Sequence, residues 1–458
     1  MIVIRRRWLA LSLSGLAVVF FGFEFLQTVG EGNKGLESGD SRKIVAFSLK
    51  KQIEIESEEV ACSGGFFVGV KPEKLANGKW TQLDGTSIFI YSIYFDGRLE
   101  PHHYLRTISM VKGTPGKEFF CQIATSDGHY HITKAVVTKI WSETWNQNDT
   151  HLYFNPYLIS CHLPVNKTSV YFSLNEKPCQ IAPQKFVITT PNVENTTSFT
   201  VCVKPLNFRN DISEQLLQWI AINRILGAEK IDFYVENLQK KPRQVLETLE
   251  KHLNGGLTLY AHNQIAQEPT FKHSTHIWQK RRYEIIAYND CLYRNIHTSH
   301  FVIPLDIDEI IVPRHGSTWA EILNRTDDTF ASFTVRNAYY LRHFNVKKST
   351  EEVFFFKRTV RSEFSDEGES GKSFVSTKNA LTVFNHYALR SLKPGVGVVK
   401  FLNVGLAQLN HYKDDCDTVI LPECAKYLSS PVRVADGVIF KFRRLFFAEY
   451  GKLLRLLL

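Results

Sequence analysis

The spacing of apolar positions along this chain changes character several times, and each change predicts a different kind of structure. Residues 8–23 form a predominantly apolar stretch that Phe25 and Leu26 extend past Glu24. From 27 to 60 glycine, serine and charge follow one another with little periodicity, which reads as a stem. From 61 to 191 the runs are short and β-rich, as at 87–95 and 131–137, and the turn signals Asn77-Gly78, Asp84-Gly85, Asp96-Gly97 and Asp127-Gly128 separate them. That spacing predicts a small all-β unit. After Thr197 the pattern becomes strand, helix, strand: a β-type run at 199–203, a helix at 214–226 with Gly227 where a C-cap belongs, and a second strand at 231–235. A helix at 243–252, a strand at 257–260, a long helix at 277–294 and the apolar run 301–305 continue the alternation. Such βαβ units imply parallel strands with right-handed crossovers, hence a doubly wound α/β domain over 198–458. Further strands are expected at 332–335 and 353–356, a polar mobile loop at 361–372, and an amphipathic helix within 440–458 packed on the body.

Charge at the N-terminus turns the first apolar stretch into a topology. Arg5, Arg6 and Arg7 precede it. The positive-inside rule then predicts a cytoplasmic tail at 1–7, a transmembrane signal anchor at 8–26 and a luminal remainder. A cleaved signal peptide is the competing reading, and it leaves the body luminal too. A chain of 458 residues exceeds one core, in line with a stem at 27–60, a β-rich accessory domain at 61–191 and the α/β domain. The eight cysteines (Cys62, Cys121, Cys161, Cys179, Cys202, Cys291, Cys416, Cys424) contain no Cys-x-x-Cys pair. In a luminal chain they predict disulfides of unreadable connectivity, not a zinc ribbon. Asn148, Asn166, Asn195 and Asn324 each open a glycosylation sequon. The formal charge of +9 suits an anionic partner, but no basic run with interleaved aromatics points to nucleic acid.

Candidate chemistry sits where the run 301–305 delivers Asp306-Ile307-Asp308-Glu309. Carboxylates at the C-terminal end of a strand occupy the edge where open α/β sheets bind ligands. Alternation turns Asp306 and Asp308 to one side, and a hard divalent cation removes their mutual repulsion. An acidic turn is the plainer alternative. There is no Gly-x-Gly-x-x-Gly after the first strand and no P-loop, which disfavours a dinucleotide fold and a P-loop nucleotidase.

Several local patterns, in order, resemble glycosyltransferase family 92. They are Lys204-Pro205-Leu206 with the helical Gln218-Trp219, then 288–294 (Tyr-Asn-Asp-Cys-Leu-Tyr-Arg), 305–310 around the acidic tetrad, 372–375 (Lys-Ser-Phe-Val), Asn385-His386-Tyr387, and 409–413 (Leu-Asn-His-Tyr-Lys). Lys413 stands where arginine is expected, and Pro304 interrupts the strand before the tetrad. The resemblance covers about residues 60–430. It implies a GT-A type, Rossmann-like nucleotide-sugar-binding domain in a Golgi single-pass type II membrane enzyme. It also implies Mn²⁺ or another divalent cation as cofactor, a UDP-sugar donor, and transfer of galactose with inversion onto the glycan of a glycoprotein or glycolipid. On that reading Asp308 contacts the metal, Asp306 the metal or the ribose, His411 the metal or a phosphate, and Lys372 a phosphate. The alternatives are a structural histidine and a surface lysine. Inversion needs a base; Asp366, Glu367 and Glu369 are candidates, and the catalytic base stays unassigned. Asn289, Asp290 and Arg294 are read either as lining the uridine side or as packing beneath the sheet. Two other functions compete: a catalytically inactive luminal glycan-binding protein, and a haloacid-dehalogenase-type phosphatase, whose motif has Thr or Val where this chain has Ile310.

Overall fold

Four parallel strands and the helices that connect them hold the acidic tetrad at one edge. The computed structural model describes Cys62 and residues 65–458 apart from 74–76, 117, 144, 146–152, 165–168, 192–195, 266–272, 325, 327, 345–349 and 417–421. The tail, anchor and stem, 1–60, lie outside the described residues, as do the sequons' Asn148, Asn166 and Asn195. Among the described residues no helix is long and apolar enough to cross a membrane.

The chain runs β1 (Thr197–Asn207), α1 (Ser213–Leu226), β2 (Lys230–Asn237), α2 (Lys240–His252), β3 (Leu257–Ala261), α3 (His273–Asn295) and β4 (Ser299–Leu305). Strand order is β3-β2-β1-β4, all parallel, as the βαβ alternation predicts. The first two crossovers step one way from β1 and the third returns to its other side. The order therefore reverses between β1 and β4, which opens a crevice at their C-terminal ends. Five more strands widen the sheet to nine: β5 (Glu309–Pro313), β6 (Phe330–Leu341), β7 (Gly371–Ser376), β8 (Gly397–Phe401) and β9 (Ala407–Lys413). Here β7 pairs antiparallel with β4, β6 lies between β7 and β9, and β5 forms the edge beside β9. Pro304 does not end β4. Pairing with β1 continues to Leu305 while pairing with β7 stops at Val302, so the proline sits where one flank of the strand carries no ladder.

Helix α1 lies under this sheet with Leu216, Trp219, Ile220 and Ile222 fully buried. It ends at Gly227, whose φ of 134° is the left-handed conformation that favours glycine. The C-terminal helix, Arg443–Leu456, covers α1 through Phe446 and Leu453. Burial of this kind contributes about 1.5–3 kcal/mol per large apolar side chain. Arg224 pairs with Glu449 at 2.8 Å across the same contact. The expected strand at 353–356 is instead a turn, closed by the Phe356 N–H on the Val353 carbonyl at 3.0 Å. Phe355 and Phe356 are spent on Phe446 rather than on a ladder.

Residues 72–189 form two five-stranded sheets. The run at 131–137 breaks at Ala135 and serves both of them, with Tyr130–Lys134 in one sheet and Val136–Lys139 in the other. Asp96-Gly97 makes no turn; it lies inside the strand Ile88–Leu99, where buried Asp96 pairs with Arg98 at 2.7 Å and Arg106 at 2.9 Å. Cys121–Cys161 joins the two sheets and Cys62–Cys179 closes the same region. Helix α3 carries contacts to both parts of the molecule. Gln279 brackets the Phe154 backbone, Arg282 donates to Asn155, and Tyr94 donates to Asp290. On the other side Asn289 brackets the Val383 backbone, and Cys202–Cys291 ties α3 to β1.

Candidate active site

Between β4 and β5 the chain makes a tight turn, not a continued strand. The Glu309 N–H donates to the Asp306 carbonyl at 3.0 Å, and the Asp306 N–H donates to Glu309 Oε2 at 3.0 Å. Ile307 is buried in the core beneath, and the side chains of Asp306 and Asp308 keep 15% and 29% exposure in the crevice. The same-side placement expected from alternation is thus produced by a turn. Trp219 fixes it from below, its Nε1–H donating to the Glu309 carbonyl at 2.8 Å.

Strand register supplies the rest. Val203 pairs with Leu305, so the next residues, Lys204 and Asp306, stand side by side, with Nζ 2.8 Å from Oδ2. Lys372 on β7 is fully buried and lies 3.3 Å from Glu309 and 3.8 Å from Asp306. On β9, His411 is the ladder partner of Glu309, and Lys413 reaches Asp308 at 3.6 Å. The His411 ring stacks on Tyr339 of β6 at 5.2 Å between centroids. Its Nε2 lies 3.5 Å from Asp308 and its Nδ1 3.6 Å from Glu309. Tyr288 of α3 donates a long 3.4 Å hydrogen bond to Asp306.

These charges set the ionisation of the group. Burial would raise the Asp306 carboxyl, but Lys204 and then Lys372 hold it well below the usual carboxylate range. Burial also pushes Asp308 upward; His411 and then Lys413 outweigh it and bring the carboxyl down to about 2. At Glu309 burial dominates and raises the carboxyl, with Lys372 opposing and Asp306 adding to the shift.

All four residues singled out from sequence, Asp306, Asp308, Lys372 and His411, therefore converge on one crevice. Lys372 is no surface lysine. Lys204, Lys413, Tyr288 and the carboxylate of Glu309 complete the group without having been assigned a role. The loop carboxylates stand differently: Asp366 and Glu369 both bind Lys426, and Glu369 also accepts the Tyr427 hydroxyl. Glu367 is exposed. Asn289, Asp290 and Arg294 serve packing, since Asp290 accepts from Tyr94, Tyr234 and Arg294.

Whether the group suits a divalent cation turns on its donors. Both His411 ring nitrogens are buried and neither makes a close hydrogen bond, each having only a carboxylate at 3.5–3.6 Å. Nε2, the nitrogen beside the Asp308 carboxylate, forms with it an oxygen and nitrogen pair of the kind that suits Mn²⁺. The described residues contain no ready-made cluster of three or more histidine, cysteine or acidic ligands, and Asp306 and Glu309 are engaged by lysines. Asp308 and His411 are the residues that would hold such a cation.

A relative from Caenorhabditis elegans described as glycosyltransferase family 92 protein F13G3.3 is 25% identical over 202 residues, which cover 42% of this chain and 38% of that protein. The matched stretch is little more than a third of that relative's length. The family model for glycosyltransferase family 92 matches residues 197–442, from the first residue of β1 through every strand that contributes to the crevice. With more than half of its length matched in this way, the chain belongs to glycosyltransferase family 92.

Proposed function

We propose that the chain is an inverting, metal-dependent glycosyltransferase that moves galactose from UDP-galactose onto a glycan acceptor in the Golgi lumen. The observation that carries this reading is the convergence of Asp306, Asp308, Lys372 and His411 at the reversal of strand order between β1 and β4. The arrangement of 198–458 is of GT-A type on this reading, and 61–191 is an accessory domain that packs on α3. The chain is held in the membrane by 8–26, with 1–7 cytoplasmic.

The chemistry follows from charge. As the bond from the sugar C1 to the diphosphate oxygen breaks, negative charge grows on the departing UDP, and preorganised cations beside it lower the barrier. Lys372, fixed between Glu309 and Asp306, presents an ammonium that needs no reorganisation. Lys413 and Lys204 flank the same space. A divalent cation bound by Asp308 and His411, and by Asp306, supplies further electrostatic stabilisation of the leaving group. Glu309 keeps the turn closed through the Asp306 N–H and is a structural carboxylate.

The test is UDP release by the purified chain across UDP-sugars and glycan acceptors, with and without Mn²⁺. Turnover with UDP-galactose that EDTA abolishes is expected. Binding of UDP-sugars with no turnover on any acceptor would favour a non-catalytic glycan-binding protein instead.

A further inference from the structure

Asp306 already has a counter-ion. The Lys204 ammonium lies 2.8 Å from it, placed there by the parallel register of β1 and β4. Lys372 is a second cation 3.8 Å away, but its side chain is 1% exposed and also binds Glu309 and the Asn385 carbonyl, so it is fixed. The Lys204 side chain is 32% exposed and its hydrogen bond goes to Asp306. A lysine is a compact point charge on a flexible stem, able to trade one oxygen for another.

The balance of charge in the crevice sharpens this. Asp306, Asp308 and Glu309 face Lys204, Lys372 and Lys413, and the buried carboxylate of Glu284 also acts on Lys204. A divalent cation entering alone must compete with Lys204 for Asp306. A diphosphate entering alone adds negative charge beside these carboxylates. Entering together, each offsets the other.

We propose that Lys204 is a displaceable counter-ion: its ammonium holds Asp306 until a nucleoside diphosphate arrives, then moves to a phosphate oxygen and releases Asp306 to the divalent cation. This rests on the nucleotide-sugar reading above. Lys204 is then a positioning residue that makes cation and diphosphate bind cooperatively, and the coupling is reciprocal.

The test measures Mn²⁺ binding by electron paramagnetic resonance of the free ion and UDP binding by calorimetry, each ligand alone and with the other. The full-length chain is compared with Lys204→Met, Lys204→Gln and Lys204→Arg, with thermal unfolding as a check on folding. In the unsubstituted chain UDP tightens Mn²⁺ by about tenfold or more; in the two neutral variants Mn²⁺ alone binds about tenfold tighter and UDP alone about tenfold weaker, and the mutual enhancement falls to what the direct attraction between cation and diphosphate supplies. Lys204→Arg retains the enhancement. A merely structural lysine predicts the opposite sign for Mn²⁺. Neutral variants that fold but hold Mn²⁺ no tighter than the unsubstituted chain overturn the counter-ion role, while UDP binding by the unsubstituted chain leaves the nucleotide-sugar reading standing. An unsubstituted chain that binds neither ligand overturns both.

Discussion

Asp308 and His411 face the same space with different chemistry, and substitutions should separate them. Asp308→Asn keeps the shape and removes the charge that offsets a divalent cation. Transfer should fall by about a hundredfold or more, equivalent to roughly 3 kcal/mol of barrier, and excess Mn²⁺ should not restore it. His411→Ala removes an imidazole nitrogen and leaves the Asp308 carboxylate in place, so its loss should appear as weaker Mn²⁺ or UDP affinity that excess Mn²⁺ partly rescues. Initial rates of UDP release over a Mn²⁺ series check both, and a fully active Asp308→Asn chain would reduce the tetrad to an acidic turn. A second residue-scale effect lies away from the crevice. Buried His262 accepts or donates a 2.9 Å hydrogen bond with Tyr91, and burial lowers its pKa from 6.5 to about 4, against a smaller opposing pull from Asp290. Because the folded value is the lower one, the unfolded chain takes up the proton first as pH falls. The stability held by neutral His262 is complete above about pH 6.5 and is lost towards pH 4, costing about 2 kcal/mol by pH 5. Urea unfolding at pH 7 and pH 5 should show a smaller difference in His262→Gln than in the unsubstituted chain; an equal difference would assign the acid sensitivity elsewhere. Lys204 illustrates what single residues conceal in a sequence. Lys204 stands in one of the patterns that carry the family resemblance, yet nothing local gives it a role, and only the register of Val203 with Leu305 turns it into a partner of Asp306.

At the scale of elements, legibility follows how local the forces are. Strands β1 to β4 and their helices could be read from periodicity because each βαβ unit buries its own apolar face within a short stretch of chain. The strands after the tetrad depend on partners far away in sequence, as in β6 with β7 and β5 with β9. The phenylalanines at 354–356 look like a strand for want of any local sign of the helix Arg443–Leu456 that they pack against. Disulfide pairing is equally non-local. Cys202–Cys291 closes a loop of 89 residues and joins the strand that bears Lys204 to the helix that bears Tyr288. Replacing both cysteines by alanine should therefore destabilise the chain by about 4.6 kcal/mol on the loop-entropy model. It should also weaken UDP binding, because both residues meet at Asp306. Urea unfolding and UDP calorimetry on the double variant check the two effects. Lost stability with unchanged UDP affinity would mean that the sheet register alone holds the crevice.

For the whole molecule, cysteines, sequons and the basic N-terminus should report one compartment or none. All eight cysteines are paired in the fold, Cys416 with Cys424 as well as the three pairs above, and such complete pairing belongs to oxidising compartments. Asn324 is the sequon asparagine within the described residues, and it is exposed just after a short helix, Trp319–Leu323, where an oligosaccharide can be accommodated. Thr326 of the same sequon is held by a 2.8 Å hydrogen bond to the Leu323 carbonyl. If the three arginines keep residues 1–7 in the cytoplasm, everything beyond about Leu26 meets the glycosylation machinery and an oxidising lumen together. The expected result is a chain, made in a secretory host, whose mobility shifts on endoglycosidase treatment through glycan on at least one of Asn148, Asn166, Asn195 and Asn324. Under denaturing, non-reducing conditions it should show no titratable thiol. The two readouts fail in different ways. Glycan with free thiols would keep the luminal placement and count against the disulfides, whereas no mobility shift together with reactive thiols at most cysteines would put the crevice outside the lumen. In that second case a luminal glycan could not be its acceptor, even if Asp308 and His411 still bound Mn²⁺.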